Sequence, residues 1–261
     1  MAPQALAATY GQHFWQDIRL VATDMDGTLT RAGEFTPALL KAFELLGRHD
    51  IDVMIVTGRS AGWVSAIVNY LPVVGAIAEN GGLYIDKQSG DSRILSDIPC
   101  FSQHRDCLET LFNHLRKRYP DLCPSVDNPY RITDWTFDID SLTQRDLDWM
   151  HATCSAERMD FTYSTVQCHI KVKGQEKAIG LNKALRQEFP EMTATSVVTV
   201  GDSPNDASLF DPDHFPYSVG VANVSHYLTV LAHTPTYITT APEVGGFVEL
   251  VNQLTKSRSD L

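Results

Sequence analysis

Asp24 and Asp26 stand two residues apart at the end of the apolar run Leu20-Val21-Ala22, and Gly27 follows them at once. On a strand, residues i and i+2 project to the same side, so both carboxylates converge on one site where the strand ends. The glycine lets the backbone leave the strand sharply and pass close to a ligand. Two acids so close repel each other, which raises one pKa unless a cation or hydrogen bonds intervene. The arrangement suits one ionised nucleophile, one proton carrier and a magnesium ion, a hard cation that prefers carboxylate oxygens. An acidic strand-to-turn boundary would show the same residues, because aspartate is common in turns. The weight of the pattern rests on what accompanies it downstream.

Three further strand or helix ends carry polar chemistry. Thr57-Gly58-Arg59-Ser60 closes a second apolar run and opens a helix, where a hydroxyl is well placed to hold a phosphate oxygen. Ser60 reads as the helix cap. Lys177 stands near a helix start, and Gly201-Asp202-Ser203-Pro204-Asn205-Asp206 follows the apolar run Val197-Val198-Thr199-Val200. A carboxylate nucleophile forms an acyl phosphate, while a second acid protonates the leaving oxygen and then deprotonates the attacking water. A threonine and a lysine suit the transferring phosphoryl group, and magnesium draws charge from it.

The elements between these residues must bring them together. Pro37–His49 has helical apolar spacing at Leu39, Leu40, Phe43 and Leu46, and Thr36 before Pro37 makes a helix start. Asp50–Val56 and Val73–Ala78 read as buried strands, with a helix from about Ser60 to Leu71 between them. Strand, helix, strand, helix, strand with short links predicts a Rossmann-like doubly wound parallel sheet, an α/β core. In such a sheet all strand carboxyl ends lie on one edge, so distant residues share one pocket.

The texture changes after Gly82. A hairpin (Leu83–Ile85 and Arg93–Leu95), a helix (Cys100–Tyr119), a strand (Ile132–Ile139), a helix (Thr143–Arg158) and one or two strands (Phe161–Val172) predict an α+β cap inserted at residues 83–169. The core then comprises residues 18–82 and 170–261, behind an N-terminal tail of residues 1–17. From Glu176 a helix, the strand Ser196–Gly201, a helix ending near Phe210, edge-ward strands at Tyr217–Val221 and Thr236–Thr239, and helices at Val224–His233 and Gly245–Leu254 complete the core.

The chain has 261 residues, 43% of them apolar and 20% charged, as in ordinary globular proteins. A net charge of −11 argues against nucleic acid or an anionic membrane as partner. A phosphorylated small molecule then needs local help from a metal and one or two lysines. The five cysteines (Cys100, Cys107, Cys123, Cys154, Cys168) include no Cys-x-x-Cys and suit a reducing compartment and packing roles. No apolar run approaches a membrane span and residues 1–17 lack the pattern of a secretory signal, so the cytoplasm is the expected location. Nothing in the sequence specifies an oligomeric state.

Asp24-Met25-Asp26-Gly27-Thr28-Leu29, Thr57-Gly58-Arg59, the downstream lysine and Gly201-Asp202-Ser203-Pro204-Asn205-Asp206 resemble the four motifs of the haloacid dehalogenase superfamily. Their order, with an α+β cap between the second and third, is similar to its Cof-like branch, which contains sucrose-phosphate phosphatases. The resemblance implies that Asp24 is the nucleophile and Asp26 the general acid/base. Magnesium would be held by Asp24, the Asp26 backbone carbonyl and Asp202, with Asp206 assisting directly or one shell out. Thr57, Gly58 and Lys177 would bind phosphate. Lys177 is preferred because Lys177-Ala178-Ile179-Gly180-Leu181 resembles the family's lysine-led helix, whereas Lys171 and Lys173 read as a solvated strand face. Asn80 and Gly81 resemble a loop on the substrate side, though a glycine turn into the cap fits them equally. Asn205 and Asn223 would orient neighbours in the pocket, with Asn205 on the substrate-binding side. Arg131, with Tyr130, Trp135 and Phe137, offers a sugar-binding surface, against which plain cap packing is the simpler reading.

The expected activity is hydrolysis of a small phosphorylated metabolite, a sugar phosphate for preference. Two other uses of the same pocket are a phosphomutase with the same aspartyl chemistry and a non-catalytic module that binds a phosphorylated ligand. Haloalkanoate dehalogenation calls for neither Asp26 nor magnesium. Asp138-Ile139-Asp140 reads as solvent-facing alternation and His104-Arg105-Asp106 lacks the companion motifs of a kinase. His169, near the cap exit, could reach a substrate, though a surface histidine is the simpler reading.

Overall fold

The computed structural model describes residues 2–140, 142–164 and 166–259, so that Met1, Ser141, Thr165 and residues 260–261 of the spans expected above lie outside them. The strands are β1 (Gln4–Ala5), β2 (Leu20–Thr23), β3 (Asp52–Val56), β4 (Gly75–Ala78), β5 (Leu83–Asp86), β6 (Ser92–Ile94), β7 (Asp134–Asp138), β8 (Met159–Tyr163), β9 (Gln167–Val172), β10 (Val197–Gly201), β11 (Tyr217–Gly220) and β12 (Tyr237–Ile238). The α-helices are α1 (Pro37–Arg48), α2 (Ala61–Tyr70), α3 (Phe101–Arg116), α4 (Gln144–Ala156), α5 (Lys177–Glu188) and α6 (Glu243–Ser259).

Nine strands form one sheet in the order β1-β12-β11-β10-β2-β3-β4-β5-β6, parallel from β1 to β4 and closed by the antiparallel β4-β5-β6 meander. Alternation along its strands decides which layer each side chain joins. Val21, Val53 and Ile55 face a core shared with α1, α2 and α6, while Leu20, Ala22, Met54 and Val56 face Ala178, Leu181 and Leu185 of α5. Helices thus cover both faces, which is why these strands are apolar on both sides. From β2 the chain proceeds to β3 and β4 on one flank, and from β10 to β11 and β12 on the other. The β2–β10 neighbourhood is therefore where strand order reverses, and a crevice opens there at the carboxyl ends.

A second sheet, three-stranded and antiparallel in the order β7-β9-β8, lies between β6 and α5 in the chain. Its apolar face packs with α3 and α4 around Phe112, Phe137, Met150 and Ile170. The expected hairpin forms as β5 and β6, and it extends the large sheet through β4.

Several segments differ from the sequence reading. The expected tail is folded: β1 pairs with β12, and Leu6 and Trp15 are buried in the large core. Its anchors are single apolar residues scattered among polar ones, which show no periodicity. The expected helix at Val224–His233 is only a 3₁₀ turn at Ala222–His226, and Pro204–Phe210 is likewise 3₁₀. Cys154 and Cys168 are buried as packing residues, whereas Cys100, Cys107 and Cys123 are exposed. Among the described residues no helix is long and apolar enough to cross a membrane.

Gly81 joins the first half of the site to the second. It adopts φ +96°, and a Cβ there would meet the Glu176 carbonyl oxygen at 2.2 Å, one residue before α5. Gly180 of α5 packs back on Gly81 at similarly close range. Gly81→Ala combines a left-handed backbone with overpacking, each costing about 1–3 kcal/mol. Urea unfolding is expected to show a loss of about 2–4 kcal/mol.

Candidate active site

The carboxyl ends of β2, β3 and β10 and the first turn of α5 meet at the crevice. Asp24 follows β2 directly, Thr57 follows β3, Asp202 follows β10, and Lys177 opens α5. Lys177 Nζ lies 2.6 Å from Asp24 Oδ1 and 2.6 Å from Asp206 Oδ1, and its side chain is fully buried. Asp206 is held by its other oxygen, Oδ2, which accepts the backbone N–H groups of Asp202 and Ser203 at 2.9 and 3.1 Å. This is the capping box of the Pro204–Phe210 turn, so helix-end geometry orients the carboxylate. Asn223 donates to Asp202 Oδ2 at 2.8 Å and to the Gly27 carbonyl at 3.0 Å. Gly27, at φ +79°, leaves space for that acid: a Cβ there would lie 2.4 Å from Asp202 Oδ2.

Asp24, Asp202 and Asp206 each offer an oxygen, and these oxygens lie within 4.8 Å of one another. Burial raises the Asp24 pKa most; the Lys177 charge opposes it, and Asp206 and Asp26 push it further, to about 7. Burial likewise raises Asp202, reinforced by the charges of Asp24 and Asp206. Three buried acids share one ammonium. Asp202 Oδ1, moreover, has no hydrogen-bond partner among the described residues. An uncompensated charge and an open hard-oxygen donor fit a divalent cation such as magnesium.

Asp26 turns away from that cluster. Arg59 grips it with two hydrogen bonds, Nε to Oδ2 at 2.8 Å and Nη2 to Oδ1 at 2.7 Å. Thr57 is buried, and its Oγ1 accepts the Arg59 N–H at 3.2 Å. Asp24, Asp26, Thr57, Gly58, Arg59, Ser203 and Asn205 line a narrow cleft on the core side, and Ser164, Val166, Gln167 and His169 line it from the small sheet. Asn205 also borders a neighbouring cavity of about 270 Å³, shared with Asn80, Lys171 and Lys177.

The remaining expected residues fall in three places. Asn80 accepts from Asn205 Nδ2 at 3.0 Å through Oδ1, and its own Nδ2 has no partner among the described residues. Gly81 packs under α5 rather than beside the cleft. Arg131 is fully buried and its guanidinium is spent on Asp127, Asp134, Gln167 and the Gly58 carbonyl. Of its aromatic neighbours, Trp135 and Phe137 join the small-sheet core, and Tyr130 is 66% exposed. Lys171 is buried, bonded to Asp160 and to the Gln175 carbonyl, not solvated as its alternating strand suggested; Lys173 is exposed.

Sequence reasoning gave no role to Arg59, Glu79, Asp134 and Gln175, and preferred a surface position for His169 over a reach towards a substrate. Glu79 receives the N–H groups of Ala61, Ile132 and Thr133 and the Thr133 hydroxyl, tying the large sheet to the start of β7. His169 is 1% exposed, with Nδ1 2.8 Å from Asp134 Oδ2. Glu79 follows β4 directly and its φ is +53°, the one trace of its role; an isolated acid in sequence shows nothing of this.

Burial alone would raise Asp134 and Asp127, but Arg131, joined at Asp134 by His169, holds both below the usual carboxylate range. As pH falls the unfolded chain therefore takes up these protons first. Their contribution is complete above about pH 4 and is lost as pH drops through the folded-state values. The urea midpoint of the wild type is expected to fall below about pH 4, with a shallower fall in Asp134→Asn.

A sequence profile of the haloacid dehalogenase-like hydrolases matches residues 21–119. Among relatives, a phosphoglycolate phosphatase of Methanothrix thermoacetophila is 27% identical over 241 residues, 91% of this chain and 97% of that protein. The crystal structure of Thermoplasma acidophilum 0175 superposes with a TM-score of 0.73 at 20% identity, covering 92% of this chain and 99% of that one. The sucrose-phosphatase of Synechocystis sp. PCC6803, solved with sucrose and phosphate, gives 0.63 at 16% identity over 92% and 98%. The two structures show a shared fold. The profile and the relatives make this chain similar to the haloacid dehalogenase-like hydrolases, and the relatives named phosphoglycolate phosphatase support a phosphoric monoester hydrolase.

Proposed function

We propose that this phosphatase hydrolyses a small phosphorylated metabolite, a sugar phosphate for preference, with magnesium, through a phosphoryl group carried on Asp24. The observation that carries the reading is the bridge from Lys177 to Asp24 and Asp206 at 2.6 Å each, beside Asp202. Asp24 Oδ attacks phosphorus as the bond to the leaving oxygen breaks. Asp26 gives that oxygen its proton, then takes one from the water that attacks the acyl phosphate, releasing inorganic phosphate and free Asp24. Lys177 and the Thr57 hydroxyl hold phosphoryl oxygens, with Gly58 leaving the approach open. Asp24, Asp202 and the Asp26 carbonyl would hold magnesium, with Asp206 behind them. Bound there, the ion withdraws charge from the phosphoryl group.

Arg59 sets the position of Asp26, and Asn223 sets that of Asp202. Asn80 and Asn205 belong to the substrate side of the cleft, while Gly81 and Arg131 act by joining elements. The small sheet with α3 and α4 acts as the cap: Gln167 and His169 bring its surface over the cleft, which supports exclusion of bulk water when substrate is bound.

Magnesium that binds the folded protein at 100 times its dissociation constant stabilises it by about 2.7 kcal/mol. Thermal unfolding is therefore expected to shift upward by several degrees with magnesium, and Asp202→Asn is expected to lose most of that shift. Magnesium-dependent phosphate release from an aryl phosphate and a panel of sugar and small organic phosphates tests the activity. Recovery of an isomeric phosphate instead of inorganic phosphate contradicts it.

A further inference from the structure

The imidazole of His169 has no part in the chemistry described so far, yet it is buried at the cleft. It sits on the small-sheet strand that covers the cleft, is 1% exposed, and lines the cleft opposite Asp24 and Thr57. Its Nδ1 meets Asp134, which is itself fixed by Arg131 Nη1 at 2.9 and 3.0 Å. Its Nε2 has no hydrogen-bond partner among the described residues. The other polar side chains that the small sheet presents to the cleft are satisfied. Gln167 is engaged by Arg131 and Asp127, and Ser164 by the Val166 and Gln167 backbone. A buried polar atom left open beside a reaction cleft points to a ligand group.

The chemistry of that group follows from the proton. Arg131 and His169 both present donors to Asp134, so the neutral imidazole carries its one hydrogen on Nδ1 and leaves a lone pair on Nε2. Burial favours the neutral ring, and the charge of Asp134 opposes that only in part. The open atom is therefore an acceptor. Asn80 Nδ2, an open donor, packs against Gly58 together with the His169 ring: a Cβ on Gly58 would lie 3.1 Å from Asn80 Nδ2 and 3.1 Å from His169 Cε1. The Asn205 amide fixes the Asn80 orientation by donating to its Oδ1. One open donor and one open acceptor are the pair that a hydroxyl satisfies and a carboxylate does not.

We propose that His169, its tautomer set by Asp134, is a specificity-determining residue that accepts a hydrogen bond from a hydroxyl on the substrate's leaving group. The inference rests on the phosphatase reading and refines it. Phosphomonoesters whose alcohol bears a nearby hydroxyl are favoured over phosphorylated acids such as phosphoglycolate. A carboxylate would face the lone pair, whereas an alkyl group would leave it desolvated and unpaired.

Three esters of matched length separate the cases: 2-hydroxyethyl phosphate, ethyl phosphate and phosphoglycolate, with an aryl phosphate reporting phosphatase competence. The wild type is expected to prefer the hydroxyethyl ester over the other two by about 10- to 100-fold in kcat/KM. In His169→Phe the hydroxyethyl-to-ethyl ratio is expected to collapse towards one. In Asp134→Asn, Arg131 takes the amide oxygen, so the amide nitrogen donates to Nδ1 and the proton moves to Nε2. That variant is expected to shift its preference towards phosphoglycolate, which a purely structural role for Asp134 would not produce. Turnover of the aryl phosphate by the wild type with a hydroxyethyl-to-ethyl ratio near one, or a preference for phosphoglycolate, overturns the proposal and leaves the phosphatase reading standing. Absence of turnover on all four removes both.

Discussion

Asp24→Asn is expected to lower phosphatase activity by at least about three orders of magnitude while leaving the protein folded. The asparagine keeps the size of the side chain and an oxygen for Lys177, which also retains Asp206 at 2.6 Å. It removes the one carboxylate that both touches the lysine and ends β2 beside Asp26. The fold should not suffer, because burial and the neighbouring acids already make the charge on Asp24 unfavourable, with its pKa pushed up to about 7. A raised carboxylate pKa means that ionised Asp24 subtracts from stability as pH rises from about 4 towards 7. The metal-free variant should therefore unfold at the same temperature as the wild type or higher at pH 8. Circular dichroism melts and phosphate release from one preparation check both halves.

Lys177→Met is expected to fail differently. The ammonium is completely buried, and both of its hydrogen bonds go to buried carboxylates. Burial works against its charge, but Asp206 and Asp24 raise its pKa, so it is held as a cation. Removing it leaves three acids within 4.8 Å with no positive partner among them. Breaking a buried pair by deleting one member costs about 3–5 kcal/mol. That corresponds to a fall in Tm on the order of 10 °C for a chain of this size. Activity should be lost too, since no donor replaces Nζ at the phosphoryl oxygens. Magnesium should recover part of the Tm and none of the activity, because the cation relieves the repulsion without restoring that hydrogen bond. A variant as stable as the wild type in magnesium-free buffer would show that the lysine does not balance this cluster. The two substitutions separate charge balance from nucleophilicity.

The core half of the site was legible because sequence position there implies spatial position. Asp24, Thr57 and Asp202 each stand immediately after an apolar strand, and parallel strands deliver their ends to one edge. Lys177 opens α5, as its place near a helix start implies, and its Nζ lies 2.6 Å from Asp24 Oδ1. The half of the cleft lined by the small sheet was not legible in this way. Along β9, Gln167, His169 and Lys171 alternate with Cys168, Ile170 and Val172, which reads as a polar face turned to water. That face is instead covered, and all three polar residues are buried. Alternation separates the two faces of a strand but does not say whether the polar one meets solvent or a second buried layer. The Asp134–His169 contact depends further on the β7–β9 register, which pairs Asp134 with Lys171 and Thr136 with His169. Neither strand contains that information alone. Arg131 shows the same limit, since its partners Asp127, Asp134, Gln167 and Gly58 are scattered over more than one hundred residues. The segment Val224–His233 has helical apolar spacing at Val224, Tyr227, Leu228 and Leu231, yet only Val224 of these is buried, and the chain forms just a 3₁₀ turn at Ala222–His226.

Trapping the phosphoryl group tests the central claim most directly. An aspartyl phosphate formed during turnover of an aryl phosphate with magnesium can be acid-quenched, reduced with borohydride and located by peptide mass spectrometry. Reduction converts the phosphorylated aspartate to homoserine. The structure predicts that conversion at position 24 and nowhere else, and none in Asp24→Asn. Conversion at another aspartate, or sustained turnover that never marks position 24, would contradict the assignment of Asp24 as the group that carries phosphate.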